Sequence, residues 1–197
     1  MGEEEWEAAD PLDLFHKWLR EAEASEPNDP NAAALATATG GGQPSVRIVL
    51  VKRADPRGFC FFTNAESQKG RQLAENPVAA LCFHWKSLRR QVRVEGQVIE
   101  LPGIEVDQYF HSRSRRSQLG TAVSRQSHPL ISRKKLLAEV EKFEAEHPGQ
   151  VPRPGHWRGY SVKPERMEFW TEGPDRLHDR ILFTCGDGGW AKTRLYP

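Results

Sequence analysis

The strand-favouring segments of this chain come in turn-linked runs, and its helix-favouring segments come in blocks between those runs. A parallel sheet needs strand and helix in strict alternation, because each crossover between parallel neighbours consumes a connecting element. That alternation is missing here, so the strands are expected to pair as antiparallel neighbours. About eight strands with helices inserted in groups predict a mainly β, α+β fold, a closed or partly closed antiparallel barrel decorated by several short helices. With 197 residues the chain can bury one substantial core and is short for two, so residues 1–197 are expected to form one domain.

The signals run as follows. The acidic stretch 1–9 is expected to be frayed and disordered. Asp10-Pro11 reads as an N-cap followed by Pro in a first helical turn, and Leu12, Phe15, Leu19 and Ala22 recur at helical spacing through Ala24, with Trp18 beside them. Strands are predicted over 32–39 and 45–53, joined by Gly40-Gly41-Gly42-Gln43-Pro44, and over 59–63 after a turn at 55–58. Ser67 should cap a short helix that stops before Asn76-Pro77. Strands over 78–85 and 90–101 follow, then short helices over 103–112 and 117–123 and a clearer one from Ser132 to about Glu146. Strands are expected again over 157–162, 166–170, 180–185 and 189–195.

Several function classes are excluded or disfavoured. A net charge of +1 gives no general affinity for nucleic acid, so any anion must be met by local clusters. The basic run Arg113-Ser114-Arg115-Arg116 is short and lacks an aromatic recognition pattern. Cys60, Cys82 and Cys185 are odd in number and contain no C-x-x-C, which fits free thiols in a reducing, cytoplasmic setting. No basic segment followed by an apolar run opens the chain and no 18-residue apolar run occurs, so neither secretion nor a membrane span is expected. The seven histidines show no metal-ligand spacing, and no metal is expected. Neither a G-x-G-x-x-G fingerprint nor a P-loop is present.

What remains are clusters of cations with hydroxyls and amides. Arg47-Ile48-Val49-Leu50-Val51-Lys52 has an apolar centre and a cation at each end. On a regular strand those ends point to opposite faces roughly 17 Å apart, so they would serve two anions, or one long ligand if a bulge re-aims one of them. Phe62-Thr63-Asn64 followed by Ser67-Gln68-Lys69 puts a hydroxyl and a cation at a helix N-terminus. A cation is unfavourable in a first turn, and a bound anion would explain it, although a solvated lysine on an ordinary capped helix is the plainer reading. Tyr109, Arg113 and Ser117, four residues apart, would share a face if one helix ran through all three. Read as extended, 175–180 places Arg176, His178 and Arg180 on one face, suited to phosphate and a flat polar ring. Gln126-Ser127 adds an amide and a hydroxyl in a turn, and Trp170 alone reads as core.

In order and spacing these segments resemble the pyridoxine (pyridoxamine) 5′-phosphate oxidase family. The strand Arg90-Gln91-Val92-Arg93-Val94-Glu95-Gly96 and the segment Arg176-Leu177-His178-Asp179-Arg180 carry the resemblance most specifically. It is also carried by Asp10-Pro11-Leu12, Arg47 to Lys52, Phe62-Thr63-Asn64 with Ser67 and Lys69, Tyr109-Phe110 with Ser112-Arg113, Ser117 to Gly120, Gln126-Ser127 and Glu168 to Trp170.

The resemblance implies an FMN-binding split β-barrel that forms a homodimer with FMN at the interface. By matching positions the flavin contacts would be Arg47, Ile48, Val49, Leu50, Val51, Lys52, Phe62, Thr63, Gln68, Lys69, Gln91, Gln126, Ser127, Trp170 and Arg180. Lys52, Tyr109, Arg113 and Ser117 would grip the substrate phosphate, while Arg176 and His178 would hold the pyridine ring. The implied reaction oxidises pyridoxine 5′-phosphate or pyridoxamine 5′-phosphate at C4′ to pyridoxal 5′-phosphate, with hydride passing to flavin N5 and O₂ becoming H₂O₂. Alternatives are a sister flavin oxidase acting on another ring, of the phenazine type, and a non-catalytic FMN or pyridoxal phosphate carrier. Three departures from the family pattern stand out. Gln68 replaces an Arg, which is expected to weaken one flavin phosphate contact. Ser114 replaces a Pro and is expected to loosen the turn after Arg113. The N-terminal arm is short, which is expected to leave the substrate site open.

Overall fold

The computed structural model describes residues 6–197. Helix α1 (Pro11–Ser25) is capped by the Asp10 side chain, which accepts from the Leu12 N–H at 2.7 Å. Its buried stripe is Pro11, Leu14, Phe15, Trp18 and Ala22, so Leu14 and Trp18 belong to it while Leu12 and Leu19 lie at its margin. Phe15 meets Phe59 and Phe83 edge-on at 4.9 and 5.0 Å, and Trp18 meets Phe169 at 5.2 Å. Each such ring contributes about 2–3 kcal/mol by leaving water, which holds α1 on the sheet. The expected disorder over 1–9 meets two different outcomes: residues 1–5 lie outside the described residues, while Trp6 packs on the core between Lys192 and Arg194.

The sheet has nine strands: β1 (Ala32–Ala38), β2 (Pro44–Leu50), β3 (Arg53–Asp55), β4 (Gly58–Asn64), β5 (Val78–Trp85), β6 (Arg90–Glu100), β7 (Trp157–Thr171), β8 (Asp179–Gly186) and β9 (Gly189–Leu195). Their order is β2-β1-β5-β6-β7-β4-β3, with β8 beside β7 and β9 beside β8, and every pairing is antiparallel. The sheet curls into a half-open barrel that brings β2 near β4. Between the strands lie α2 (Gln68–Glu75), α3 (Gly103–Ser112), α4 (Arg115–Val123) and α5 (Arg133–Glu146).

Three boundaries differ from expectation. The segment 45–53 is not one strand: β2 ends at Leu50, and β3 begins at Arg53 to pair with β4. At the break the Val51 N–H donates to Asn31 O and the Lys52 N–H to Cys60 O, so the chain changes partners there. Conversely, 157–162 and 166–170 are one strand, β7, because Pro164 falls at a bulge opposite Gly96 where no ladder N–H is needed. A Cβ at Gly96 would lie 1.9 Å from Lys163 O, so only glycine permits this approach. Third, Arg176 is not extended. It lies in a 3₁₀ turn (Pro174–Arg176) in which Asp175 and Arg176 have φ of 53° and 64°, so strand alternation does not place it with His178 and Arg180.

Register also defines the outer face of the sheet, away from α1. His84, Gln91, Trp170 and Arg180 form one lateral row across β5 to β8, while the alternating row Phe83, Val92, Phe169 and Ile181 is buried beneath. On the same outer face the edge strand β2 leaves Val46 and Ile48 69% and 67% exposed.

Candidate functional site

A cavity of about 520 Å³ opens between β2, β4, the N-terminus of α2 and the α3–α4 region. Of the residues singled out from the sequence, Arg47, Ile48, Val49, Leu50, Lys52, Phe62, Thr63, Gln68, Lys69, Tyr109, Arg113, Gln126 and Ser127 line it. Arg47 and Lys52 thus meet one cavity instead of opposite faces. The strand break at Val51 re-aims the second cation, and Val51 itself is buried in the core.

The deep end is cationic. Ser67 caps α2 through the Gly70 N–H, and Lys69 follows in the first turn with only 8% of its surface exposed. Its Nζ donates to Gln126 Oε1 at 3.0 Å, to Thr63 Oγ1 at 3.1 Å and to Ser67 Oγ at 3.4 Å. Burial first, and the Arg47 guanidinium second, lower the Lys69 pKa to about 8. Arg47 donates to Thr37 Oγ1 at 2.5 Å, Leu35 O at 3.2 Å and Gln72 Oε1 at 3.4 Å, and burial lowers its pKa as well. All of these acceptors are neutral, and neither cation forms an ion pair among the described residues. Buried cations without a carboxylate are stabilised by a bound anion. The Gln68 N–H, a free amide of the helix N-terminus, donates to Ser127 Oγ at 3.2 Å, and the Gln68 side chain turns to Ser45 Oγ at 3.1 Å.

The mouth is aromatic and cationic. Phe62 stacks on Tyr109 at 3.9 Å and 17°, and Trp157 lies parallel to Phe62 at 6.5 Å. The Arg113 guanidinium sits 4.6 Å over Trp157 and donates to Thr121 Oγ1 at 2.8 Å. Burial lowers the Arg113 pKa and raises that of the Tyr109 hydroxyl. One helix does not run through Tyr109, Arg113 and Ser117: α3 ends at Ser112, and Ser114 caps α4 by accepting from the Ser117 N–H. Ser114 thus serves as a helix cap in the turn after Arg113, and its hydroxyl lies 2.9 Å from that of Ser117. Ser117 faces an adjoining cavity of about 290 Å³ that shares Arg113, Gln126 and Trp157 with the first. Val46 and Trp157 line the main cavity without having been singled out. Trp157 opens the strand expected over 157–162, and nothing in the local pattern separates a cavity aromatic from a core one.

Gln91, Trp170, Arg176, His178 and Arg180 do not line this cavity. Gln91, Trp170 and Arg180 lie in the outer-face row, and the His178 ring packs 4.7 Å from that of Trp170. Arg180 is held by the buried Glu168 through Nε and Nη2 at 2.8 Å, which raises its pKa, and Glu168 also accepts from Arg93 at 3.1 Å. Apart from Val51 in the core and Arg176 in its exposed turn, the candidate site residues thus form two clusters, one in and beside the cavity and one on the outer face.

The family comparisons fit this arrangement. Residues 19–147 match the sequence profile of pyridoxamine 5′-phosphate oxidase, and residues 157–197 match that of the pyridoxine 5′-phosphate oxidase C-terminal dimerisation region. The pyridoxine/pyridoxamine 5′-phosphate oxidase of Novosphingobium aromaticivorans is 54% identical over 191 residues, covering 96% of this chain and 94% of that one. Its counterpart in Anaeromyxobacter dehalogenans is 55% identical over 191 residues, covering 96% of each. Among solved structures, PhzG from Burkholderia lata 383 in complex with tetrahydrophenazine-1-carboxylic acid superposes with a TM-score of 0.94 at 33% identity, covering 100% of this chain and 98% of that one. A pyridoxamine 5′-phosphate oxidase-related, FMN-binding protein from Nostoc punctiforme shares the fold, with a TM-score of 0.77 at 16% identity over 96% of this chain and all of that one. With both profiles matched and relatives aligned over nearly its whole length, the chain belongs to the pyridoxamine 5′-phosphate oxidase family.

Proposed function

We propose that this protein is an FMN-dependent oxidase that converts pyridoxine 5′-phosphate or pyridoxamine 5′-phosphate to pyridoxal 5′-phosphate in the cytoplasm, where its three free cysteines stay reduced. The observation that carries this reading is the pair of cations at the deep end, the buried Lys69 and the half-buried Arg47, whose partners are all neutral, with a second basic cluster at the mouth of the same cavity. Two anion sites in one cavity suit a phosphorylated cofactor beside a phosphorylated substrate.

The donor set fits FMN. Arg47, Lys69, Thr63, Gln126, Ser127 and the α2 amides would take its phosphate, with Gln68 contributing its backbone rather than an additional cation. The backbone of Arg47 to Leu50 and the Phe62 ring would flank the rest. Bound FMN would supply the hydride acceptor and, through O₂, the route to H₂O₂. The protein orients, excludes water and neutralises charge. Lys52, Tyr109 and Arg113, with Ser117 behind them, would hold the substrate phosphate.

Gln91, Trp170, Arg180, Arg176 and His178 would reach the cavity from a second copy in a homodimer. The exposed Val46 and Ile48 on the edge strand beside the cavity support that assembly, as does the dimerisation profile over 157–197, which contains four of these five residues. The likeness to PhzG favours a second reading, oxidation of a phenazine-type ring. Identity of 33% there against 54% to the vitamer oxidases, together with the phosphate grip, weighs for the first. The test is anaerobic mixing of FMN-loaded protein with each phosphorylated vitamer. Bleaching of the flavin band, followed by H₂O₂ and pyridoxal 5′-phosphate on admitting air, is expected. Bound FMN that stays oxidised with both vitamers would refute the reading.

A further inference from the structure

The turn that presents His178 also determines which of its ring nitrogens is free to meet a ligand. The Gly173 N–H donates to His178 Nδ1 at 3.2 Å. That contact depends on a tight return of the chain: the Leu177 N–H bonds to Pro174 O at 2.9 Å, and Asp175 and Arg176 take left-handed φ of 53° and 64° between them. It also depends on glycine, because a Cβ at Gly173 would lie 1.9 Å from Leu177 O. On its other side the imidazole rests against Trp170 at 4.7 Å, so the ring is gripped by backbone and by an aromatic surface. A nitrogen that accepts from an amide carries no proton, and in a neutral imidazole the proton then sits on the other nitrogen.

We propose that the Gly173 N–H is a positioning group that holds His178 as the Nε2–H tautomer, so that His178 meets the substrate ring as a hydrogen-bond donor. The proposal rests on the vitamer-oxidase reading for its ligand and deepens it. The partner of Nε2–H is an oxygen substituent of the pyridine ring, such as its phenolate. An Nε2 that already bears a proton cannot accept one, so this nitrogen is not the base for a proton leaving C4′. Gly173 thereby acts on the chemistry through His178 without touching substrate.

The experiment uses the FMN-loaded, full-length protein labelled with ¹⁵N-histidine, and reads the tautomer from long-range ¹H–¹⁵N correlations. His178→Gln serves to assign the signal. A pyridine-like Nδ1 and a pyrrole-like Nε2 are expected, and a pyrrole-like Nδ1 would overturn the proposal. Variant kinetics give a second readout. His178→Gln can place an amide donor near the Nε2 position and His178→Asn cannot, so Asn is expected to raise KM for the vitamer about tenfold more than Gln, the value of one lost hydrogen bond. Equal losses in the two variants would overturn the donor role. Gly173→Ala is expected to mix the tautomers, but the wild-type spectrum decides the tautomer whether or not that variant folds. If neither vitamer is oxidised while Nε2–H is observed, the substrate reading falls and the tautomer assignment stands.

Discussion

Replacing Lys69 by Met should make the ligand-free protein more stable and its cofactor binding weaker. The lysine ammonium is buried among neutral acceptors, and its pKa falls from an ordinary 10.5 to about 8. Holding that charge in the folded, ligand-free chain therefore costs about 3 kcal/mol below pH 8, at 1.36 kcal/mol per pH unit. The unfolded chain keeps the proton up to pH 10.5 and the folded chain only up to about pH 8. Ligand-free stability should accordingly be lowest below pH 8, rise between about 8 and 10.5, and level off above. Methionine of similar length removes the charge penalty but loses the amine's hydrogen bonds, worth roughly 1–2 kcal/mol together. The net gain is about 1–2 kcal/mol at pH 7, a rise in Tm of roughly 3–6 °C for a chain of this size. Thr63 and Gln126 keep each other at 3.2 Å. FMN loses a charge-assisted contact, so its Kd should rise about 10–100-fold. Thermal unfolding of FMN-free protein from pH 6 to 10.5, together with flavin titration, tests both signs. A lower Tm for Lys69→Met at pH 7, or a wild-type Tm that does not rise through the 8–10.5 window, would refute the argument.

Other perturbations separate the parts of the molecule. Gly96→Ala drives a Cβ against Lys163 O and should cost about 2–3 kcal/mol in chemical denaturation, by prying β6 from β7 at the bulge. Ile48→Lys puts a charge on the exposed apolar edge beside the cavity and should shift sedimentation toward monomer, with loss of bound FMN. Arg113→Met should raise KM for a phosphorylated vitamer about 10–100-fold, the worth of a charge-assisted contact, while the spectrum of bound FMN stays unchanged.

The antiparallel design was legible because patterning and turn chemistry agree along most of the chain. The cationic cluster at Lys69, the proposed anion site, carried a local signal, a cation in a first helical turn where the dipole disfavours it. Other features depend on distant partners. Nothing in Ser45 to Arg53 marks the break at Val51, which arises because β3 turns to pair with β4 while β2 stays on β1. Pro164 looks like a strand end until Gly96 is placed opposite it. Ser114 did carry a signal, since a serine at an N-cap starts a new helix, and reading only the four-residue spacing from Tyr109 to Ser117 passed over it. The separation of Trp170 and Arg180 from the cavity is not encoded in any window of sequence, because it belongs to the curvature of the whole sheet.

Strand β7 starts at Trp157 on the cavity wall and runs past the bulge to Trp170 on the outer face, a contour of roughly 40 Å at about 3.3 Å per residue. One continuous strand thus separates the two half-sites of each chain, and in the proposed dimer each catalytic centre is a loan between copies. Genetically, that makes defects shareable. At FMN and vitamer concentrations too low to saturate either variant, a chain with Lys69 replaced and a chain with His178 replaced are each nearly idle as pure dimers, yet a mixed dimer holds one centre with neither lesion and one with both. Random assembly from equal amounts should recover about a quarter of normal activity, half the dimers having one working centre of two.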